Sequence, residues 1–232
     1  MLNYLKRRIL GLTVMRGIRR SRALAKVRPV NMTEGFTLTT FDWVFTPTWE
    51  ASERREMARM MQNCDLFVDI GANHGFYTLL ALHLGKPAIA IEPEAVNLSI
   101  LRKNVGHKAK VIPAAVSDFC GNLTIYGDGD MASISSAWQG TARHFRQKVP
   151  AITLDSIETW PGKLFIKVDV EGAEDAVLRG ATETLKRDAV WLIETLPELP
   201  RGGINPAYKN VMNIMKDWRK TETSPGNFIF ER

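Results

Sequence analysis

The sequence predicts an α/β fold built on a doubly wound, mostly parallel sheet with a final antiparallel strand. Short apolar runs with the length of buried strands alternate with helix-length amphipathic segments along most of the chain. The run Leu66–Ile70 breaks into a turn that contains two glycines. The next run, Ala88–Ile91, leads into the carboxylate of Glu92, about 20 residues after that turn, as in nucleotide-binding sheets. These three observations favour one parallel sheet with helices on both faces.

Charge is distributed unevenly along the chain. The 232 residues carry a formal net charge of +6, from 31 Lys and Arg against 25 Asp and Glu. Residues 1–28 hold nine of the basic side chains and no acidic one, so the remainder has 22 basic and 25 acidic residues, a net charge of −3. The length suits one domain with a full core plus an appendage. The sequence therefore predicts a basic amphipathic N-terminal extension, residues 1–30, and an α/β domain, residues 31–232.

The apolar residues of the extension recur at helical spacing, with Arg and Lys between them. A basic amphipathic helix can lie on an anionic membrane surface, which predicts peripheral membrane contact through residues 1–28. A helix docked on the domain, a solvated tail and an organelle transit peptide are the alternatives. No apolar run approaches the roughly 18–20 residues that span a bilayer. Cys64 and Cys120 give no disulfide framework, so a cytoplasmic location is expected, with or without peripheral membrane contact.

The elements before residue 117 follow from periodicity and capping. Residues 31–48 contain alternating apolar and polar side chains and are expected to be extended. Thr48 has the side chain of an N-cap, so a helix is expected from Trp49 to Met61. After Met61 the spacing of the apolar residues alternates between the period typical of strands and the period typical of helices. The elements predicted from it are the strand Leu66–Ile70, the helix Tyr77–Leu84, the strand Ala88–Ile91, the helix Ala95–Val105 and the strand Lys110–Val116.

A polar insertion interrupts this alternation between residues 119 and 150. Asn122–Tyr126 predicts a short strand, and the four residues after it a turn. The segment Met131–Gln147 is polar and rich in small residues, which favours a substrate loop over a mobile lid. The next predicted strand is Leu164–Gly172, with Lys167, Asp169 and Glu171 on one face. The elements predicted after it are the helix Ala173–Leu185, the strand Val190–Glu194, the helix Ala207–Trp218 and the strand Asn227–Phe230.

The glycine turn and Glu92 together indicate a nucleoside-containing cofactor. Glycines at a strand–turn–helix junction let a ligand approach bare backbone N–H groups. Gly71 and Gly75 are spaced G-x-x-x-G rather than G-x-G-x-x-G, which weakens the case for a nicotinamide or flavin. Glu92 is placed to bind two ribose hydroxyls, and the form of the turn favours S-adenosylmethionine. The alternative is that Asp69 only stabilises the turn and Glu92 only ends a strand.

Several motifs resemble those of class I S-adenosylmethionine-dependent methyltransferases and, among these, the FkbM subgroup. They are Asp69–Thr78, Ile91–Pro93, Ala115–Asp118, Leu154–Asp155, Lys167–Glu174 and Val177–Ala181. The similarity covers roughly residues 40–232. It implies a Rossmann-like methyltransferase domain at residues 31–232, with S-adenosylmethionine as the cofactor.

The resemblance also implies which residues contact the cofactor. Asp69, Gly71, Asn73 and Gly75 would line its methionine end, Glu92 its ribose, and Ser117 with Asp118 its adenine. The implied set is completed by residues of the same motifs: Ala72, His74, Pro93 and Asp169. His74 is expected either to touch the acceptor or to have no part in catalysis.

The acids at the ends of the later strands are the catalytic candidates. Methyl transfer is an in-line displacement, and a hydroxyl acceptor also needs a base, which contributes roughly 10²–10⁴-fold. Asp169 or Glu171 is expected to be that base, with Lys167 tuning their charge, because neighbouring acids raise one pKa towards neutrality. In a second arrangement Asp169 holds the cofactor's ammonium group, and Glu171 or Glu194 is the base. In a third, the cluster is a structural set of salt bridges.

The expected acceptor follows from the resemblance: a hydroxyl of a sugar, glycolipid or glycosylated metabolite, recognised through residues 126–148 and 195–210. No metal is predicted, because the histidines form no H-x-x-x-H pair. A hard cation held by Asp169, Glu171 and Glu194 is a weaker alternative. A nucleic-acid methyltransferase is disfavoured by the acidic body, and a non-catalytic cofactor-binding module by the acids on three strand ends. The sequence does not indicate an oligomeric state.

Overall fold

The computed structural model describes residues 25–41, 45–48, 51–127, 146–158, 162–199 and 203–232. The chain divides into two units, Met1–Trp49 and Glu50–Arg232. In the first unit, β1 (Arg28–Asn31) pairs antiparallel with β2 (Thr37–Thr40), and Gly35 has the positive φ that the intervening turn needs. The predicted extended segment thus contains part of a hairpin. The predicted helix of the basic extension lies outside the described residues, and the domain boundary at residue 30 stays a prediction.

The second unit contains alternating strands and helices around a central sheet. Its helices are α1 (Ala51–Met61), α2 (Phe76–His83), α3 (Ala95–Val105), α4 (Glu174–Arg179) and α5 (Pro206–Ile214). Its strands are β3 (Leu66–Ile70), β4 (Ala88–Ile91), β5 (Lys110–Ile112), β6 (Ala115–Val116), β7 (Gly121–Tyr126), β8 (Arg146–Ile152), β9 (Leu164–Val168), β10 (Ala189–Glu194), β11 (Arg219–Ser224) and β12 (Asn227–Glu231). No helix among the described residues has the length and apolarity required to cross a membrane.

Seven strands form the central sheet, in the order β11-β12-β10-β9-β3-β4-β5. The five strands from β10 to β5 pair in parallel, and β12 pairs antiparallel with both β10 and β11. A mostly parallel sheet with a final antiparallel strand is therefore confirmed. The central strands are apolar because both faces of the sheet are covered. In β4, Ile89 belongs to the main core cluster while Ala90, on the opposite face, belongs to the cluster that contains Leu101 of α3.

β11 is a strand that the sequence pattern did not reveal. Its six residues are all polar and mostly exposed, since it lies at the edge of the sheet and pairs only with β12. The helix predicted to run from Ala207 to Trp218 was too long. α5 ends at Ile214, and the chain turns at Trp218 to enter β11. Strand periodicity cannot be detected where no face of the strand is apolar.

The single strand predicted over residues 110–116 was wrong. The central sheet keeps only β5, while β6 pairs with β8 in a separate sheet of order β6-β8-β7. Pro113 lies between β5 and β6, where it cannot donate a backbone hydrogen bond to a neighbouring strand. The predicted strand at 122–126 is confirmed as β7. Most of the predicted substrate loop, residues 128–145, lies outside the described residues.

The helix predicted over residues 173–185 was also wrong, because it is two elements. α4 stops at Arg179, and a 3₁₀ turn follows at Thr184–Lys186. A Cβ at position 180 would overlap the carbonyl oxygen of Ser117, so Gly180 marks a close approach of two backbones. Asp155 then holds the second element by accepting hydrogen bonds from the backbone and hydroxyl of Thr184. These tertiary contacts end the helix where its local pattern would continue.

Candidate cofactor and active site

The turn between β3 and α2 is shaped by residues with positive φ. Gly71 has φ +79°, and a Cβ there would overlap the carbonyl oxygen of Asp169. Gly75 has φ +86°, and a Cβ would meet Leu101 of α3. The backbone N–H of Gly71 donates to the carbonyl of Ile91 at 3.0 Å, which ties the turn to the end of β4. The two glycines therefore let three strands and a helix meet beside an open backbone turn.

Glu92 lies directly after β4 with its side chain buried. Its Oε2 accepts a hydrogen bond from the backbone N–H of Asn73 at 2.8 Å, and its Oε1 accepts one from that of Glu94 at 2.8 Å. Burial raises the pKa of Glu92 to about 8, although these two N–H groups pull it down. The Oδ1 atom of Asn73 is buried and has no hydrogen-bond partner among the described residues. Two polar side chains thus converge at the end of β4.

Lys167 of β9 is buried and lies at the centre of a charged cluster. Its Nζ is 2.8 Å from Oδ2 of Asp169 and 5.2 Å from the centre of the Tyr77 ring. Burial alone would lower the pKa of Lys167, but the carboxylates of Asp169, Asp69 and Glu194 raise it overall. The ammonium group therefore stays charged and fixes the Asp169 carboxylate.

Asp69 lies opposite Lys167 in the β3–β9 pairing and is completely buried. Its Oδ2 accepts a hydrogen bond from Oγ1 of Thr78 in α2 at 2.6 Å. Burial raises the pKa of Asp69, while Lys167 and Thr78 pull it down. Asp69 thus joins β3 to α2 beneath the glycine turn.

Glu171 adopts the left-handed backbone conformation, with φ +57°, and Gly172 follows it with φ +92°. The predicted strand 164–172 was too long: β9 ends at Val168, so strand alternation does not place Glu171. The tight turn formed by Glu171 and Gly172 places Glu171 instead. A non-glycine residue in this region stores about 1–3 kcal/mol of strain, and such residues cluster at functional sites. Glu171 is half-buried and faces the same cleft as Asp169.

These elements enclose a cleft of about 610 Å³, its open mouth included. Six predicted site residues line it together: Gly71, Asn73, Glu92, Pro93, Asp169 and Glu171. The remaining lining residues are Asn97, Ala173 and an apolar set formed by Ile70, Ile91, Ala114, Ala115, Val116, Ile125 and Val170. A polar end and an apolar wall suit a ligand that carries both a ribose and a flat aromatic base.

The other predicted site residues lie around the cleft, outside its lining in the described part of the chain: Asp69, Ala72, His74, Gly75, Ser117, Asp118, Lys167 and Glu194. His74 is buried, and its carbonyl accepts a hydrogen bond from the Asn104 amide at 2.7 Å. Asp118 is paired with Arg179 at 2.9 Å, which lowers the pKa of Asp118. Contacts of Ser117 and Asp118 with the adenine stay a prediction.

Three residues near the cleft were not predicted from the sequence: Glu94, Asn97 and Gln147. Glu94 caps α3 by accepting from the backbone N–H groups of Val96 and Asn97, and a polar side chain just before a helical pattern was the available signal. That cap fixes the first turn of α3, which carries Asn97 into the cleft wall. The Gln147 amide of β8 donates to the carbonyl of Pro93 at 3.3 Å. No sequence signal links these two, because 54 residues separate them.

Metal ligands do not gather in the described residues: no three His, Cys, Asp or Glu side chains there come close enough to hold an ion. Cys64 is buried and Cys120 is exposed, and both are free thiols.

Comparison with known proteins identifies the domain type. A family model described as the methyltransferase FkbM domain matches residues 69–221. The tRNA (uracil-54, C5)-methyltransferase of Pyrococcus abyssi, in complex with S-adenosyl-L-homocysteine, superposes with a TM-score of 0.51 at 8% identity, over 89% of this chain and 44% of that one. An O-methyltransferase from Bacillus cereus, in complex with SAH, gives a TM-score of 0.46 at 12% identity, over 77% and 79%. No curated protein matches by sequence.

Proposed function

Since this chain belongs to the FkbM family of S-adenosylmethionine-dependent methyltransferases, we propose that its methyl acceptor is a hydroxyl of a sugar, glycolipid or glycosylated metabolite. The arrangement of Lys167, Asp169 and Glu171 at the cleft carries this proposal. Lys167 neutralises Asp169, while the turn after β9 brings a second carboxylate, Glu171, to the cleft. An alcohol is a weak nucleophile until its proton leaves, whereas a neutral amine needs no such base. A positioned carboxylate therefore favours an O–H acceptor.

The residues around the cleft suit S-adenosylmethionine, which supplies an electrophilic methyl group on a sulfonium centre. Glu92 has acceptor oxygens for two ribose hydroxyls. The Oδ1 of Asn73, which has no hydrogen-bond partner in the described part of the chain, offers one more acceptor beside it. Gly71 lines the cleft, so the methionine end would approach the backbone of the turn at this position. The apolar wall that includes Val116 and Ile125 is suited to the adenine.

In the proposed reaction the protein aligns the acceptor and removes its proton. Asp169, held by Lys167, binds a positive or hydrogen-bond-donating group at the cleft and orients the ligand beside it. Glu171 takes the acceptor's hydroxyl proton onto its carboxylate as the oxygen bonds to the methyl carbon. Alignment and proton removal are then the two contributions of the chain itself.

A nucleic-acid acceptor is the main competing function. The structural likeness to a tRNA methyltransferase is at 8% identity, and it shows the fold alone. Residues 29–232 have a net charge of −3, which disfavours binding along a phosphate backbone. The positive charge of the chain is concentrated in residues 1–28. These charges support a small or carbohydrate acceptor at the cleft.

Acceptor screening with a labelled methyl donor tests the proposal. The full chain is incubated with glycosides, glycolipids and RNA, and the wild type is compared with Glu171→Gln. We expect label on a sugar-containing acceptor, and at least a 100-fold lower kcat for Glu171→Gln with unchanged binding of S-adenosylhomocysteine. The matched control is Glu183→Gln, an exposed acid paired with Lys186, which should retain full activity. Preferential labelling of RNA, or full activity of Glu171→Gln, would contradict the proposal.

A further inference from the structure

Glu174, the first residue of α4, has a buried carboxyl that the proposed chemistry does not use. Only 1% of the residue is exposed. Its Oε1 accepts a hydrogen bond from the backbone N–H of Gly172 at 2.8 Å. Its Oε2 is buried and has no hydrogen-bond partner among the residues that the structure describes. Burying a carboxyl with one oxygen unsatisfied costs stability, so its presence here calls for a physical reason.

The Gly172 N–H belongs to the peptide group that joins Glu171 to Gly172. The orientation of that peptide plane is the ψ angle of Glu171, which sits in the strained left-handed region. A hydrogen bond to this N–H therefore fixes the backbone of Glu171 itself. Without it, the Glu171–Gly172 turn could relax to ordinary conformations and carry the Glu171 side chain away from the cleft.

The electrostatic surroundings leave this hydrogen bond intact in both protonation states. Burial raises the pKa of Glu174 to about 7, the N–H groups of Gly172, Glu174 and Ala173 pull it down, and the nearby charge of Asp169 pushes it up. A carboxylate and a carboxylic acid can each accept one N–H through Oε1. A glutamine at the same position can also accept it, which makes the contact separable from the charge.

We propose that Glu174 is a positioning residue for methyl transfer: its Oε1 holds the Gly172 N–H and thereby keeps Glu171 facing the cleft. The role rests on the proposed function of Glu171 as the base. Glu174 does not reach the acceptor, and it acts only through the turn that precedes α4.

Hydrogen exchange in the ligand-free protein tests the contact without requiring activity. The variants are Glu174→Gln, which keeps the acceptor, Glu174→Asp, which keeps the charge but shortens the reach, and Glu174→Ala. The control, Asp175→Asn, removes a charge from the next residue, whose carboxylate contacts Arg179 and Asn210. We expect residues 169–174 to exchange at least 10-fold faster in the Asp and Ala variants, and as in the wild type for the Gln variant and the control. Wild-type exchange rates in both the Asp and Ala variants would overturn the proposal.

Kinetics separate positioning from a general loss of structure. We expect the Asp and Ala variants to lose at least 10-fold in kcat while their Kd for S-adenosylhomocysteine stays within 3-fold, and the Gln variant to recover most of kcat. If the affinity for S-adenosylhomocysteine fell together with kcat, or if Glu174→Gln had a kcat as low as that of Glu174→Ala, the role of Glu174 would be structural and the proposal would be overturned. If the wild type methylates no sugar-containing acceptor, the proposed function fails, and the exchange rates alone decide the role of Glu174.

Discussion

Glu92 shows how one buried side chain can serve both the fold and the ligand. Its two oxygens accept hydrogen bonds from the backbone N–H groups of Asn73 and Glu94, which belong to the turns that follow β3 and β4. Each oxygen retains a second lone-pair direction for a ribose hydroxyl. Loss of this carboxylate should therefore weaken cofactor binding directly and also loosen both turns.

We expect Glu92→Ala to weaken binding of S-adenosylhomocysteine by roughly 10²–10³-fold, since hydrogen bonds to a charged group contribute about 1.5–3 kcal/mol each. Titration calorimetry on the wild type and the variant measures this change. The control, Glu183→Ala, removes an exposed acid and should leave the affinity unchanged. A Kd within 3-fold of the wild type in Glu92→Ala would exclude Glu92 from the cofactor site.

Gly71 and Gly85 form a natural pair for testing the turn. Both have positive φ, +79° and +74°, but a Cβ at Gly71 would overlap the Asp169 carbonyl, whereas at Gly85 nothing lies within 4 Å. Gly85→Ala should cost only the left-handed penalty of about 1–2 kcal/mol. Gly71→Ala should cost about 2 kcal/mol more, because the turn and the end of β9 must separate. Urea unfolding of both variants measures the difference, and equal free energies of unfolding would show that the close approach is unimportant.

The site residues that could be predicted are those encoded by short spacing. Gly71, Gly75 and Glu92 follow from the order strand, glycine turn, strand, acid, which needs no knowledge of the tertiary structure. Asn97 and Gln147 reach the cleft region through a helix cap and a separate small sheet, and no local pattern marks them. Glu171 was predicted for the wrong reason: a left-handed turn, not strand alternation, presents it.

At the scale of elements, Asp155 replaces the helical hydrogen bonds that the chain loses at Gly180. Its Oδ1 accepts from the backbone and hydroxyl of Thr184, and its Oδ2 from the backbone of Glu183 and the hydroxyl of Thr182. Burial acts to raise the pKa of Asp155, but these donors outweigh it and lower the pKa overall. The ionised form therefore stabilises the folded state above the ordinary pKa of 3.8, and that contribution is lost as the pH falls through the lowered value.

We expect Asp155→Ala to lower the free energy of unfolding at pH 7 by about 1–2 kcal/mol, with the exposure of this carboxylate limiting the effect. The difference from the wild type should shrink below pH 3.8, where the carboxyl of the unfolded chain takes up a proton, and vanish below the lowered pKa of the folded state. Denaturant unfolding at pH 7 and pH 3 measures both quantities. Asp188→Ala, at an exposed acid 3.9 Å from Lys163, serves as the control and should have little effect. An equal loss at both pH values would contradict this account of Asp155.

The errors in element prediction arose where the local sequence pattern does not determine the structure. Local patterns extended the helix after Gly172 and the strand after Lys110 through positions where tertiary contacts or a proline end them. β11 was missed because an edge strand that is exposed on its faces has no apolar alternation. The buried strands β3 and β4, by contrast, were predicted to the residue, and β9 from its first residue, because burial on both faces requires an apolar run.

At the scale of the whole molecule, the topology of the sheet follows from the chain order of its elements. Alternating strands and helices make parallel neighbours, and the carboxyl ends of β3, β4 and β9 then meet at one edge. That convergence collects Asp69, Glu92 and Asp169 from distant parts of the sequence. The sheet β6-β8-β7 could not be predicted as a separate unit, because its middle strand β8 begins with polar residues and contains Pro150, so no apolar run marks it.

Gathering buried acids at one edge of the sheet has a consequence for the stability of the whole protein. Burial raises the pKa of Glu92 to about 8 and that of Glu174 to about 7, from an ordinary value of 4.5, and it also raises the pKa of Asp69. Between pH 4.5 and 8 these groups bind more protons in the folded state than in the unfolded state. These three groups therefore lower the free energy of unfolding as the pH rises through this window, by about 1.4 kcal/mol per pH unit for each proton of difference.

We expect the ligand-free protein to be less stable at pH 8.5 than at pH 5.5 by a few kcal/mol, as measured by urea unfolding. Glu92→Gln, which cannot ionise, should flatten this decline, and Glu183→Gln should leave it unchanged. S-adenosylhomocysteine should also flatten it in the wild type, because ribose hydroxyls donate to the ionised Glu92 carboxylate and lower its pKa towards the ordinary value. Stability that rises from pH 5.5 to 8.5 would show that these acids are ionised in the folded protein. The same curve, measured with and without the ligand, thus reports on Glu92 both as a buried acid of the fold and as a ligand of the cofactor.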